Sequence, residues 1–177
     1  MLVKQLMIGN VCSCHPENNL AELAAMMWNH RCGALPIIDN AGKVAGMITD
    51  RDICIALGTR NARASDVLAR EVSPGPYVSC APGDEVRSAL EIMGTQEVSR
   101  LPVVDDSGRL VGMLSIDDIV FRAACGSSDV TDREIINTLA AIREERIHQP
   151  SIDTENGNGV SADPRIPMNY GDVNVRR

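Results

Sequence analysis

The stretch Leu35-Pro36-Ile37-Ile38-Asp39, followed by Gly46-Met47-Ile48-Thr49-Asp50-Arg51-Asp52, returns 66 residues later as Leu101-Pro102-Val103-Val104-Asp105, followed by Gly112-Met113-Leu114-Ser115-Ile116-Asp117-Asp118. Extended outward without a gap, residues 13–53 align with 79–119, and 12 of the 41 positions are identical. Average composition would give roughly two or three by chance. A tandem duplication means two copies of one supersecondary unit that bury their apolar faces on each other, and hence two related clefts.

Each copy reads as strand, helix, hairpin, helix. In the first, Asn10–Cys14 is a short extended segment stopped by Pro16. Asn18 or Asn19 then caps a helix to about His30, with Leu20, Leu23, Ala24 and Met27 on one face at helical period. Ala34–Ile38 is a buried strand, Asp39-Asn40-Ala41-Gly42 a turn with Gly42 at positive φ, and Val44–Ile48 the return strand. Thr49 opens a helix to about Leu57. In the second copy, Tyr77–Cys80 is extended, and Asp84 starts a helix with Val86, Ala89, Leu90 and Met93 inward. Leu101–Val104 and Leu110–Leu114 make the hairpin, and Ser115 opens a helix to about Cys125.

These elements divide the chain into repeat 1 (1–60), a connector (61–76), repeat 2 (77–126), an amphipathic helical segment (127–148) and a polar tail (149–177). The connector holds a short helical piece at Ser65–Ala69 and a turn at Pro74-Gly75-Pro76. Over Thr131–Ile147, Ile135, Ile136, Leu139, Ile142 and Ile147 form an apolar side able to dock on the repeat core or on a second copy. The tail has too few apolar residues to offset chain entropy and is expected to be disordered.

Composition bounds the function. Apolar residues make up 44% of the 177, enough for a core, but aromatics only 2%: Trp28, Tyr77, Phe121 and Tyr170. The core is therefore aliphatic, and a flat ligand ring would be gripped by aliphatic side chains. Trp28 is expected to be a partly buried helix anchor. A net charge of −7 argues against a nucleic-acid surface, which needs clustered Lys and Arg. No stretch approaches the ~20 apolar residues of a membrane span, and no secretory signal is evident, so the expected location is cytoplasmic with reduced thiols.

The chemistry concentrates where each return strand enters a helix. Thr49 with Asp52, and Ser115 with Asp118, put a hydroxyl at a helix start and a carboxylate three residues on. A helix N-terminus suits a phosphate, the hydroxyl can donate to a phosphate oxygen, and the carboxylate can accept from ribose hydroxyls. The same pair is also a capping box, which needs no ligand. Sequence physics leaves both readings open.

Taken together, the two words, each a hydrophobic-Pro-hydrophobic-hydrophobic-Asp followed by Gly-x-x-Thr/Ser-x-x-Asp, resemble a tandem pair of cystathionine β-synthase (CBS) domains. The opening Val3-Lys4-Gln5-Leu6-Met7 resembles the family's lead-in, and the likeness covers roughly residues 1–125. The resemblance implies a mixed α/β fold of two β-α-β-β-α repeats packed sheet to sheet by pseudo-twofold symmetry. It implies clefts that bind AMP, ADP, ATP or S-adenosylmethionine, a regulatory rather than catalytic role, and a homodimer shaped as a flat disc. It implies no cofactor beyond the adenosyl effector, accompanied by Mg where that effector is ATP.

Carried over by position, one site would use Ser115 and Asp118, with Arg100 on the phosphate and Lys4, Gly9, Gly33 and Ala34 along the base and ribose. The other would use Thr49 and Asp52, with Ser65, Val98 and Ser99 opposite. The sites differ: Ala34 stands where Arg100 does, and Arg51 beside Thr49 is matched by Asp117. One cleft should therefore hold phosphate more tightly. The plainer role for Arg51 and Arg100 is an ion pair with Asp50 or Glu97.

Two other constellations bear on function. Cys12, Cys14 and His15 form a potential thiol or metal cluster, but Cys-x-Cys without a second clean pair is not structural zinc spacing, and small buried hydrophobes explain the cysteines better. Cys80 and Cys125 stay open as reactive thiols. No nucleophile elbow, phosphate loop or His-Glu-x-x-His is present, so catalysis is not expected. The sequence reading is a cytoplasmic adenosyl-ligand sensor acting on an unidentified partner protein. The alternative is the same fold as a ligand-free dimerisation scaffold.

Overall fold

The structure is a computed structural model describing residues 1–73, 77–126 and 129–147. The Pro74-Gly75-Pro76 turn and the tail from His148 onward lie outside the described residues. In repeat 1, α1 (Leu20–His30) starts on a capping box. Asn19 accepts from the Glu22 N–H at 3.0 Å, and the Glu22 carboxylate accepts from the Asn19 N–H at 3.2 Å. Strands β1 (Ala34–Ile38) and β2 (Val44–Thr49) pair antiparallel, with Ala34 opposite Thr49. The Asp39 carboxylate closes the turn by accepting from the Ala41 and Lys43 N–H groups, and Gly42 sits at φ 78°. Helix α2 (Asp50–Arg60) follows directly.

Repeat 2 copies this with α3 (Val86–Thr95), β3 (Arg100–Val104), β4 (Leu110–Ser115) and α4 (Ile116–Ala124), after which comes α5 (Asp132–Ile147). The first extended segment of each repeat is shorter than expected. It contributes one parallel bridge, Cys14 to Ile37 and Cys80 to Val103. Asp84 does not cap α3 either: its carboxylate accepts from the Ala81 N–H at 2.7 Å, and Glu85 is the N-cap residue.

The two sheets meet on a pseudo-twofold axis. The Val44 N–H donates to the Gly108 carbonyl at 3.1 Å, and the symmetry-equivalent Leu110 N–H donates to the Gly42 carbonyl at 3.0 Å. The lead-ins obey the same axis and are exchanged. The Val3 and Lys4 N–H groups donate to Asp84 and Pro82 of repeat 2 at 2.9 and 3.0 Å. Their equivalents, Ala69 and Arg70, donate to Asn18 and Pro16 of repeat 1 at 2.8 and 3.1 Å. Residues 1–8 thus belong spatially to repeat 2 and residues 67–73 to repeat 1, although the sequence repeat assigns them otherwise. The connector's helical piece is two 3-10 turns, Ala64–Asp66 and Ala69–Glu71.

Two aliphatic cores result. Leu20, Leu23, Leu35, Ile48 and Ala69 are fully buried in one; Val3, Val86, Met93, Leu101, Leu114 and Ile119 in the other. Full burial of a side chain such as Val3 is worth about 1.5–3 kcal/mol, so the lead-in is held by packing as well as by hydrogen bonds. Helix α5 docks on α3 and α4 of its own chain, putting Ile135 into the second core with Leu139 and Ile142 against it, while Ile136 stays exposed. The N-terminal ammonium pairs with Asp129 and Arg87 with Glu134, fastening the start of α5.

Two expectations fail on α1. Ala24 is exposed, and Trp28 is 84% exposed rather than an anchor, because Leu20, Leu23 and Met27 alone define the buried face. Among the described residues, no helix is long and apolar enough to cross a membrane.

Candidate functional site

The two strand-to-helix corners are built alike. At the first, Thr49 is the N-cap of α2. The Asp52 carboxylate, through one oxygen, accepts from the Thr49 N–H at 2.8 Å and the Thr49 hydroxyl at 2.6 Å; the Thr49 hydroxyl accepts from the Asp52 N–H at 3.2 Å. At the second, Ser115 and Asp118 make the same three bonds at 2.8, 2.8 and 3.2 Å. Both pairs are half-buried, and both are complete capping boxes. The hydroxyl proton is therefore already given to the carboxylate. A phosphate would have to draw that proton away, which opens one acceptor position on that carboxylate oxygen while its backbone N–H bond stays. The other, Oδ1, has no protein partner among the described residues. Together they could accept two vicinal ribose hydroxyls, so binding of such a ligand would be an exchange of bonds that leaves no polar group orphaned.

The register sets the charges around each corner. Arg100 stands directly across from Ser115, half-buried and with no ion pair or side-chain hydrogen bond among the described residues. Ala34 is across from Thr49. Arg51 is exposed and likewise unpaired among the described residues, so the expected pairs with Asp50 or Glu97 do not form through these arginines. The Asp50 carboxylate turns back to accept from the Arg51 N–H at 2.8 Å and faces Gly33, where a Cβ would lie 3.1 Å from it.

The remaining positions distribute as follows. The Gly33 carbonyl accepts from the Asp50 N–H at 3.1 Å, and the Ser99 carbonyl accepts from the Ile116 N–H at 3.0 Å. Gly33–Ala34 thus sits at the Thr49 corner and Val98–Ser99 at the Ser115 corner. No hydrogen bond or ion pair among the described residues joins either pair to the opposite corner. Gly9 follows Ile8, which bridges Met113 two residues before Ser115, and none of the described residues stands within 4 Å of its open side. Lys4 is exposed beside Pro82, and Ser65 is exposed with its hydroxyl donating to Asp66.

The chain leaves β4 at Ile8 and reaches β1 at Cys14, so residues 9–13 cross from one sheet to the other beside the end of β4. Motif reasoning missed this strap. The signal was present: Leu2, Lys4 and Gly9 align with Leu68, Arg70 and Gly75 at the repeat offset. The strap also explains the glycine that opens each Gly-x-x-Thr/Ser. A Cβ on Gly112 would lie 2.8 Å from Met7 Sδ and 3.0 Å from the Ile8 carbonyl oxygen. A pocket between the start of repeat 2 and α3, lined by Val78, Ser79, Glu91 and Ile92 among others, includes none of the predicted site residues.

Among the described residues, no three His, Cys, Asp or Glu side chains gather for a metal. Burial pushes the Cys14 and Cys80 thiols up to about 12, which removes their thiolate character at neutral pH. Cys54 and Cys125 are exposed, so burial does not account for all six cysteines.

Fold, repeat symmetry and paired corners define a tandem pair of mixed α/β domains, and comparison gives the family. Residues 3–59 and 64–124 match the CBS domain, and the chain belongs to that family as a tandem pair. It is 34% identical over 119 residues to inosine-5'-monophosphate dehydrogenase of Methanocaldococcus jannaschii, covering 67% of this chain but only 23% of that enzyme. It is 29% identical to the CBS domain-containing protein YhcV of Bacillus subtilis, covering 82% of this chain and 98% of YhcV. Among solved structures, it resembles the CBS domain pair of protein MJ0100 in complex with 5'-methylthioadenosine and S-adenosyl-L-methionine. That likeness has a TM-score of 0.62 at 27% identity and covers 72% of this chain and 98% of that one.

Proposed function

We propose that this chain is a non-catalytic, homodimeric regulatory module. It senses an adenosyl ligand at the two capping-box corners and transmits occupancy to a partner protein. The observation that carries the reading is the Ser115–Asp118 corner, where Arg100 stands across the strand from Ser115 and, among the described residues, neither Arg100 nor Asp118 Oδ1 has a side-chain partner. The complex of MJ0100 with two adenosyl compounds supports the ligand class. Of the two corners, this one is suited to a phosphate-bearing ligand, because its arginine is half-buried and next to the hydroxyl. Arg51 at the other corner is exposed and screened by water. The strap beside the site connects through the lead-in to Met1, which pairs with Asp129 ahead of α5. Displacement of the strap would thus reach α5, a surface a partner can read.

The test is thermal unfolding of the protein against AMP, ADP, ATP and S-adenosylmethionine, with and without Mg, repeated with Asp118→Asn and Arg100→Ala. A ligand specific for the folded state adds RT ln(1 + [L]/Kd), about 2.7 kcal/mol at a hundredfold excess over Kd. The expected result is a selective rise that Asp118→Asn removes, with Arg100→Ala removing it for phosphate-bearing ligands only. No rise with any ligand at millimolar concentration would refute the sensor and favour the scaffold.

A further inference from the structure

The strap that runs from β4 to β1 is held at its two ends. Ile8 exchanges two hydrogen bonds with Met113. The Cys14 N–H donates to the Pro36 carbonyl at 2.9 Å, and the Cys14 carbonyl accepts from the Ile38 N–H at 2.8 Å. Between these anchors, residues 9–13 make no hydrogen bond among the described residues. Cys12 lies in this unpinned stretch. Its segment runs parallel to β1, with Cys14 beside Ile37, so from Cys14 backwards it leads toward the foot of β1. Cys32 stands at that foot, two residues before Ala34 and directly after Arg31, which ends α1 in the left-handed conformation. Both cysteines are half-buried, and both pack on the same core, that of Leu20, Leu23 and Leu35. The two thiols also sense each other: burial first, and then charge on Cys32, raises the Cys12 thiol. The repeat offset supplies a comparison within the chain. Cys12 and Cys32 align with Val78 and Val98, which pack in the same way on the second core. Valine serves packing at both places in repeat 2, and repeat 1 has two thiols there instead.

We propose that Cys12 and Cys32 are a redox pair whose disulfide pins the strap to the turn between α1 and β1. The oxidant is a low-molecular-weight disulfide. One protein thiolate attacks it, forms a mixed disulfide and releases one small thiolate. The other protein thiolate then attacks the protein sulfur of that mixed disulfide and releases the second. One protein S–S bond forms, the S–S bond of the oxidant breaks, and the two protein thiol protons end on the two small thiols. Cys14 takes no part, because it is 1% exposed and its buried thiol is pushed up to about 12. The bond would join two places beside the candidate corners. The strap passes the end of β4 at the Ser115 corner, and Cys32 precedes Gly33–Ala34 at the Thr49 corner. The pair stands independently of the adenosyl reading.

The test is equilibration of the full chain in mixtures of reduced and oxidised glutathione at about pH 8.5, where thiolates are populated, followed by alkylation and tryptic mapping. Trypsin cuts after Lys4, Arg31 and Lys43, so Cys12 and Cys14 leave on one peptide and Cys32 on another. The expected result is a link between these two peptides within single chains, with Cys12 as the bonded residue. Dithiothreitol should reverse it, and Cys12→Val or Cys32→Val should abolish it. Valine already fills both places in repeat 2, so the variants should keep the wild-type circular dichroism. The Cys14 amide, hydrogen-bonded at the end of the strap, should exchange on the order of tenfold more slowly in the oxidised chain. Four outcomes would overturn the pair: free thiols at Cys12 and Cys32 in oxidised glutathione, glutathione on either without a link between them, a Cys12–Cys14 bond, or a link confined to covalent dimers. A Cys12–Cys32 link that leaves Cys14 exchange unchanged would overturn the pinning of the strap.

Discussion

Alanine at Gly112 and at Gly46 should have unequal costs, although the two are equivalent in the repeat. Neither has the positive φ that only glycine tolerates well, so backbone conformation does not decide the outcome. At Gly46, the new methyl would meet Ser73 Oγ at 2.5 Å, but the next atoms stand at 3.7 and 3.8 Å. A hydroxymethyl group can rotate away, and the variant should lie within about 1 kcal/mol of wild type, helped by lost unfolded-state entropy. At Gly112, the methyl would meet Met7 Sδ at 2.8 Å and the Ile8 carbonyl oxygen at 3.0 Å. The backbone cannot rotate away, so the strap must lift. That strains or breaks the two reciprocal Ile8–Met113 hydrogen bonds of 2.9 and 3.0 Å. Each is worth about 0.5–1.5 kcal/mol net, and overpacking of this kind typically costs about 1–3 kcal/mol. Gly112→Ala should therefore be less stable than Gly46→Ala by roughly 2 kcal/mol, read as the difference in urea unfolding free energy at constant m-value. The corresponding Tm gap is about 4–8 °C. Equal stability of the two variants, or a weaker Gly46→Ala, would refute the account of strap crossing.

Three further outcomes follow from other parts of the molecule. With Ellman's reagent near neutral pH, Cys54 and Cys125 should react in the native protein while Cys14 and Cys80, buried with thiols pushed up to about 12, react only on unfolding; peptide mapping of the labelled sites checks this. The Glu134 carboxyl is held near about 2, below its ordinary 4.5, first by the Thr131 hydroxyl and then by the Thr131 N–H and Arg87. A lowered carboxyl stabilises above its unfolded value and loses that contribution as pH falls through its folded value. Hydrogen exchange in α5 should therefore accelerate, after correction for intrinsic rates, between pH 4.5 and about 2; flat protection across that window would contradict the latch. On α3, Gly94→Ala should stabilise by up to about 1 kcal/mol, since the methyl meets Ala141 at an ordinary 3.6 Å, whereas Gly94→Leu should expel α5 and expose Ile135, seen as increased dye binding.

What could be read in advance followed the range of the forces involved. The capping boxes at Thr49 and Ser115, the Asp39 and Asp105 turns and the inward face of α3 depend on neighbours within four residues, and the chain spells them out. The exchanged lead-ins depend on contacts such as Val3 with Asp84, far apart in sequence, and only the offset alignment of Leu2 with Leu68 hinted at them. Trp28 misled because hydrophobicity describes a side chain without its direction, and its angle on α1 lies off the Leu20–Leu23–Met27 face. Asp84 misled because a carboxylate at a helix start also serves the turn before it. At the candidate site, residue types and spacing were legible. The prior commitment of each hydroxyl proton to its carboxylate was not, since that is a property of assembled geometry.

The exchanged lead-ins also set an order of events during synthesis. Repeat 1 has everything it needs once Ser73 has emerged from the ribosome, because its lead-in follows it in the chain. Residues 1–8 are made before repeat 1; their partners Pro82 and Asp84 come much later, and the dock is complete only when β4, ending at Ser115, has been translated. This early-made segment is thus among the last to find its full dock, and its docking closes the strap beside the Ser115–Asp118 corner. A chain truncated ahead of β4 would carry a finished first half and a lead-in without its Met113 partner, and so would lack the strap-bounded corner.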